Sequence, residues 1–179
     1  MKSHLVLVGA LAGLVSSPAL ADASKFSHGP VIQGFGAVAK VDADLAIPAN
    51  LDHKIAYDIG SGSPGTKSKG LDGVARLINM LAANGVPMSR IHPAVVVHNA
   101  ALWDVTTDAK YTQQFGTANP NTELVKQLLA KGVPIYVCGQ SAAMSDVAKA
   151  DLIPGVKVAL SAMNAHAILD SQGYSLNPF

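Results

Sequence analysis

"NPNTELVKQLLAKGVPIYVCGQSAAMSDVAKAD", residues 119–151, contains a helix, a strand and a second helix in direct succession. Residues 119–132 place Leu124, Leu128 and Leu129 on one helical face; Asn121 or Thr122 can cap the start, and Gly132 ends it. "VPIYVC" (133–138) is a short run that is apolar on both faces, and "QSAAMSDVAKAD" (140–151) reads as the next helix. A strand with two apolar faces needs cover on each side. A helix following it within a residue or two marks the repeating unit of a parallel sheet.

The same unit recurs in both directions. Upstream, "KIAYDI" (54–59) runs into the turn cluster "GSGSPGTKSKG". "LDGVARLINMLAAN" (71–84) then aligns Leu71, Val74, Leu77, Ile78 and Leu81 before Gly85 and Pro87, and "AVVVHN" (94–99) is a β-branched strand. "LWDVTTDAKYTQQF" (102–115) is less regular and holds a helical turn. Downstream, "VKVALS" (156–161) and "AMNAHAILDSQG" (162–173) repeat the pair, and "YSLNP" reads as a tail. The expected fold is α/β, three layers α/β/α around a mainly parallel sheet of about five strands, spanning residues 54–179. Residues 22–53 read as an irregular N-terminal arm with a short strand near Ala37–Val41.

The chain opens on the pattern of an export signal. Lys2 is followed by the apolar run "LVLVGALAGLV" (5–15) and by "SSPALA" (16–21), with Ala19 and Ala21 where a signal peptidase reads. Residues 1–21 are expected to be cleaved. The apolar run is shorter than the roughly 20 residues that span a bilayer, so no membrane attachment is expected after cleavage, and the expected location is the periplasm. The chain has 13 Lys and Arg against 12 Asp and Glu, and loss of Lys2 leaves 12 against 12. A neutral chain without a basic patch is not a nucleic-acid binder.

Cys138 is the one cysteine, so no disulfide can form within the chain. Such a thiol is buried and inert, paired between chains, or reactive. Its position bears on the choice. Open α/β proteins bind ligands beyond the carboxyl ends of their strands, where the sequence places Asp58, His98 and Asn99, Cys138, and Ser161. Cys138 also precedes a helix whose first turn is Gly139, Gln140 and Ser141. Free N–H groups and the positive dipole end at a helix start favour a thiolate. Gly139 allows a close backbone approach, His98 is a candidate base or charge partner if its strand neighbours that of Cys138, and Asn99 and Ser141 are candidates to line the site.

Two other patterns carry less. "GSGSPGTKS" (60–68) differs from the phosphate-cradling G-x-x-x-x-G-K-[ST] because Thr66 intrudes between Gly65 and Lys67; the loop is expected to cover the edge of the site. His28, His53, His92, His98 and His166 show no metal-ligand spacing, so a metal would need ligands from distant segments or neighbouring subunits.

Residues 132–176, with the glycine-ended helix, the strand ending in Cys138-Gly139, the "DLIPGV" step and the late "QGY", resemble the C-terminal half of the DsrE/DsrF-like sulfur-relay proteins. "VVVHN" and "NPNTELVKQLLAKG" extend the resemblance to roughly residues 54–176. The resemblance implies an α/β/α domain assembled as homotrimers or homohexamers. It also implies a cysteine, here Cys138, that accepts sulfane sulfur as a persulfide and hands it on, as a sulfurtransferase or sulfur carrier. The implied partners are small sulfur species or a persulfide-bearing protein, with no cofactor and no bound metal. Gly139, Gln140, Ser141, His98 and Asn99 are carried as substrate-binding candidates. Two other readings stand beside this one: a non-catalytic homo-oligomeric binding or scaffold protein of the same fold, and a metal-binding module.

Overall fold

The structure, a computed structural model, describes residues 22–177, so the expected leader at 1–21 lies outside the described residues. The arm carries a small antiparallel ribbon, β1 (Phe26–Ser27) against β2 (Val38–Ala39). There follow β3 (His53–Ile59), α1 (Lys69–Ala83), β4 (Ile91–Val97), α2 (Asp108–Phe115), α3 (Thr122–Ala130), β5 (Ile135–Cys138), α4 (Gly139–Met144), β6 (Lys157–Ala159), α5 (Ala162–Ser171) and β7 (Ser175–Asn177). The main sheet has the order β6-β5-β4-β3-β7, and every pairing in it is parallel.

Strand side chains alternate between faces, and the two faces are covered unequally. Tyr57, Ile59, Val95, Val97, Ile135 and Val137 point into the larger core, against Leu71, Val74 and Ile78 of α1 and Leu124 and Leu128 of α3. Full burial of each such aliphatic side chain contributes roughly 1.5–3 kcal/mol. The alternate residues Ala56, Ala94 and Val96 point the other way and meet Ala165 and Leu169 of α5 in a smaller cluster. The direction of chain travel explains the split. The chain steps from β3 to β6 along one direction, then α5 carries it back across the sheet to place β7 beyond β3.

Four sequence expectations change. The tail "YSLNP" is an edge strand, because Ile55, Ala56 and Tyr57 pair with Ser175, Leu176 and Asn177. The helix expected over 140–151 ends at Met144: Asp146 takes a left-handed φ of 51°, and the Val147 N–H returns to the Ala142 carbonyl, closing the end. The less regular stretch is well ordered, as a 3-10 segment (Asn99–Val105) and then α2, which is capped by the Thr107 hydroxyl accepting from the Lys110 N–H. Asn121 stands at the start of α3 without capping it. Its side chain is fully buried, accepting from the Ser68 N–H at 2.7 Å and donating to Asp104 at 3.1 Å.

The arm lies on α1. Asn79, fully buried, accepts from the Val31 and Ile32 N–H groups and donates to the carbonyls of Ile32, Phe35 and Gly36. Ile32 and Phe35 are drawn into the larger core.

Candidate functional site

Parity along the strands selects the residues of the site. Asp58 follows Ala56 by two positions, His98 follows Val96 by two, and Cys138 follows Tyr136 by two, so all three point to the face that α5 covers. Val97 pairs with Val137, so His98 and Cys138 leave the sheet side by side. Cys138 pairs onward with Ala159, after which the Ser161 hydroxyl accepts from the Asn164 N–H and starts α5.

Two helix starts therefore meet at one sulfur. Burial by itself would raise the Cys138 pKa. The Ser141 hydroxyl and the backbone N–H groups of Ser141, Ala162 and Gln140 around the sulfur outweigh it, and the thiol lies below its ordinary value, although the Cys138 side chain does not cap α4. Gln140 and Ser141 belong to α4 and Ala162 to α5. The Ser141 hydroxyl also accepts from the Asn99 N–H at 3.1 Å, across the mouth of β4 and β5. Asn99 holds a left-handed φ of 49°, a conformation that costs a non-glycine residue energy and recurs at functional sites.

Cys138 is 7% exposed and lines an open cavity of about 380 Å³ together with Asp58, His98, His166, Met144 and Met163. Asp58 is the hub of its second wall. Its Oδ1 is 2.9 Å from His166 Nε2 and 3.1 Å from His98 Nε2. The first contact is an aligned hydrogen bond, whereas His98 Nε2 is buried without one. Glycine makes room for this ring: a methyl group on Gly60 would lie 2.7 Å from His98 Cε1 and 2.9 Å from its Nε2. Met144 and Met163 stand at the rim, 90% and 82% exposed.

Of the residues read from sequence, His98, Asn99, Cys138, Gln140 and Ser141 all line this cavity, and Gly139 does not. The close approach at Gly139 is to β6, since a Cβ there would sit 2.7 Å from the Ala159 carbonyl oxygen. The strands of His98 and Cys138 are neighbours, yet the His98 ring nitrogen lies against Asp58. The loop 60–68 does not cover the cavity. It packs on the 3-10 segment and α2, with the Gly65 N–H donating to the Tyr111 hydroxyl, and reaches the site only where Gly60 meets His98. Sequence reasoning missed His166 and Met163, and it left Asp58 as a bare strand end. The shared parity of Asp58, His98 and Cys138 was readable and would have grouped the three. Among the described residues, no group of three or more His, Cys, Asp or Glu side chains is arranged to hold a metal ion, and no helix is long and apolar enough to cross a membrane.

Comparison with known proteins adds a family to this geometry. The model of the DsrE/DsrF-like family matches residues 54–178. A protein of unknown function from Methanobacterium thermoautotrophicum, MTH1491, is similar in structure, with a TM-score of 0.55 and 17% identity over 72% of this chain and 100% of its own. The ychN protein from E. coli is similar at a TM-score of 0.52 and 18% identity, over 71% of this chain and 99% of its own. At these identities the likeness is one of fold. No curated protein is similar enough to the chain to count as a match.

Proposed function

The chain belongs to the DsrE/DsrF-like family, and on that basis we propose that it is a periplasmic sulfur carrier in which Cys138 binds sulfane sulfur as a persulfide and relays it to an acceptor thiol. One observation carries the reading: Cys138 ends β5 in the wall of an open cavity, at the start of α4 and beside that of α5, where the surrounding O–H and N–H groups lower its pKa despite burial. The thiolate, not the thiol, is the nucleophile in sulfur exchange. On loading, Cys138 attacks the outer sulfur of a persulfide or polysulfide, the donor's S–S bond breaks, and the electron pair leaves on the donor's inner sulfur. On unloading, an acceptor thiolate attacks the outer sulfur and Cys138 departs as thiolate, held by the same donors. Sulfur passes between thiols with no net oxidation, so the exchange requires no cofactor.

The reading includes self-association as a homotrimer or homohexamer. It is supported by apolar side chains left in solvent on and beside α5: Leu160, Met163, Ile168 and Leu176 are each about half exposed or more. Purified protein treated with polysulfide is expected to gain one sulfur atom on Cys138 by mass spectrometry, and Cys138→Ser none. A wild-type protein that stays unmodified while a control thiol reacts would end the sulfur-relay reading.

A further inference from the structure

We propose that Asp58, His98 and His166 form a proton-handling unit for sulfur exchange at Cys138, an inference that rests on the sulfane-sulfur reading above. Three observations support it. Asp58, His98, His166 and Cys138 are the only ionisable side chains lining the cavity among the described residues; no lysine or arginine reaches it. In both rings Nε2 lies against Asp58 and not against the sulfur, although both rings share the cavity with Cys138. Both rings put Nε2 on a single carboxylate oxygen, at 2.9 and 3.1 Å, although the residues come from β3, the end of β4, and α5. The Asp58 hydrogen bond orients the His166 imidazole and leaves its other nitrogen to take or give a proton, while the His98 ring is held beside the same oxygen by close packing over Gly60.

The step balances without a further reagent. A donor R–S–SH enters, and the Cys138 sulfur bonds to its outer sulfur as the donor's S–S bond breaks. The electron pair leaves on R–S. The imidazoles take the S–H proton from the transferred sulfur and give one to the departing sulfur, so R–SH leaves and Cys138–S–S⁻ remains. Sulfane sulfur has changed thiols, and nothing is oxidised or reduced overall. His98 and His166 are catalytic residues in this step, and Asp58 positions His166 by its hydrogen bond and lies beside His98.

The test varies how much the leaving group needs a proton. Single-turnover loading of Cys138 is followed by mass spectrometry with an alkyl hydropersulfide and with an aryl hydropersulfide, whose leaving thiol is far more acidic. In His166→Gln, His98→Gln and Asp58→Asn, loading from the alkyl donor is expected to fall roughly 100-fold and loading from the aryl donor by a clearly smaller factor, while alkylation by iodoacetamide stays close to wild type. Gly60→Ala keeps every ionisable group but pushes on the His98 ring, and is expected to reproduce the His98→Gln defect. Equal losses with both donors, or a matching loss of alkylation, would overturn the proton role and leave a structural one. A wild-type protein that neither donor loads would overturn the sulfane-sulfur reading, and this inference with it.

Discussion

Asp104 is 2% exposed within the 3-10 segment that follows β4, with one oxygen accepting from the Asn121 amide at 3.1 Å and the other without an aligned partner. Burial pushes its carboxyl from the ordinary 3.8 up to about 6, against a smaller downward pull from Ser68. A folded-state pKa above the unfolded one means that the folded protein binds the proton more tightly. The resulting stabilisation is fully present below about pH 4 and is lost as pH rises through about 6. This one group is expected to lower stability by up to about 3 kcal/mol across that window. Chemical denaturation at pH 4, 5, 6 and 7 should show the slope in the wild type, and Asp104→Asn should flatten it. Cys138 shows the opposite balance one strand away. There burial is outweighed by the neighbouring Ser141 hydroxyl and backbone N–H groups at the helix starts.

Elements in this fold are fastened by single polar side chains as much as by core contact. The arm has little regular structure of its own, and Asn79 of α1 satisfies five of its backbone groups. Asn79→Ala would strand those groups in the interior. It is expected to cost about 3 kcal/mol and to open residues 28–40 to limited proteolysis, while iodoacetamide still alkylates Cys138 at the wild-type rate. Retention of a protease-resistant arm in that variant would show that Ile32 and Phe35 suffice to hold it. α4 shows the other side of the same rule. Its six residues bury little beyond Ala142, so its place is set by the strand before it and the Schellman-type closure after it.

Across its full width, the sheet has one deep core and one thin one. Ala56, Ala94 and Ala165 keep α5 close to the strands, and Met163 and Ile168 on its outer side are left in solvent among polar residues. Exposed apolar side chains gathered around one helix can mark an interaction site. In the proposed assembly this surface meets further copies of the chain. Light scattering after size exclusion is expected to give a trimer or hexamer for the wild type and a monomer for Ile168→Glu combined with Leu176→Glu. A monomeric wild type at micromolar concentration would sink the assembly.

Local periodicity and residues adjacent in the chain were enough to specify the alternation of strands and helices, the parallel sheet that follows from it, and the placing of Cys138 at a strand-to-helix junction. They did not reveal β7, because an edge strand of three half-polar residues has no periodicity of its own and exists only by pairing with β3. Nor did they reveal the second half of the site. His166 meets Asp58 across 108 residues of chain, and Ala162 shares the cavity with Cys138 only because α5 starts beside the end of β5. Which strand ends face a common helix is settled by packing over long chain separations, since parity fixes a side chain's face but not what covers it.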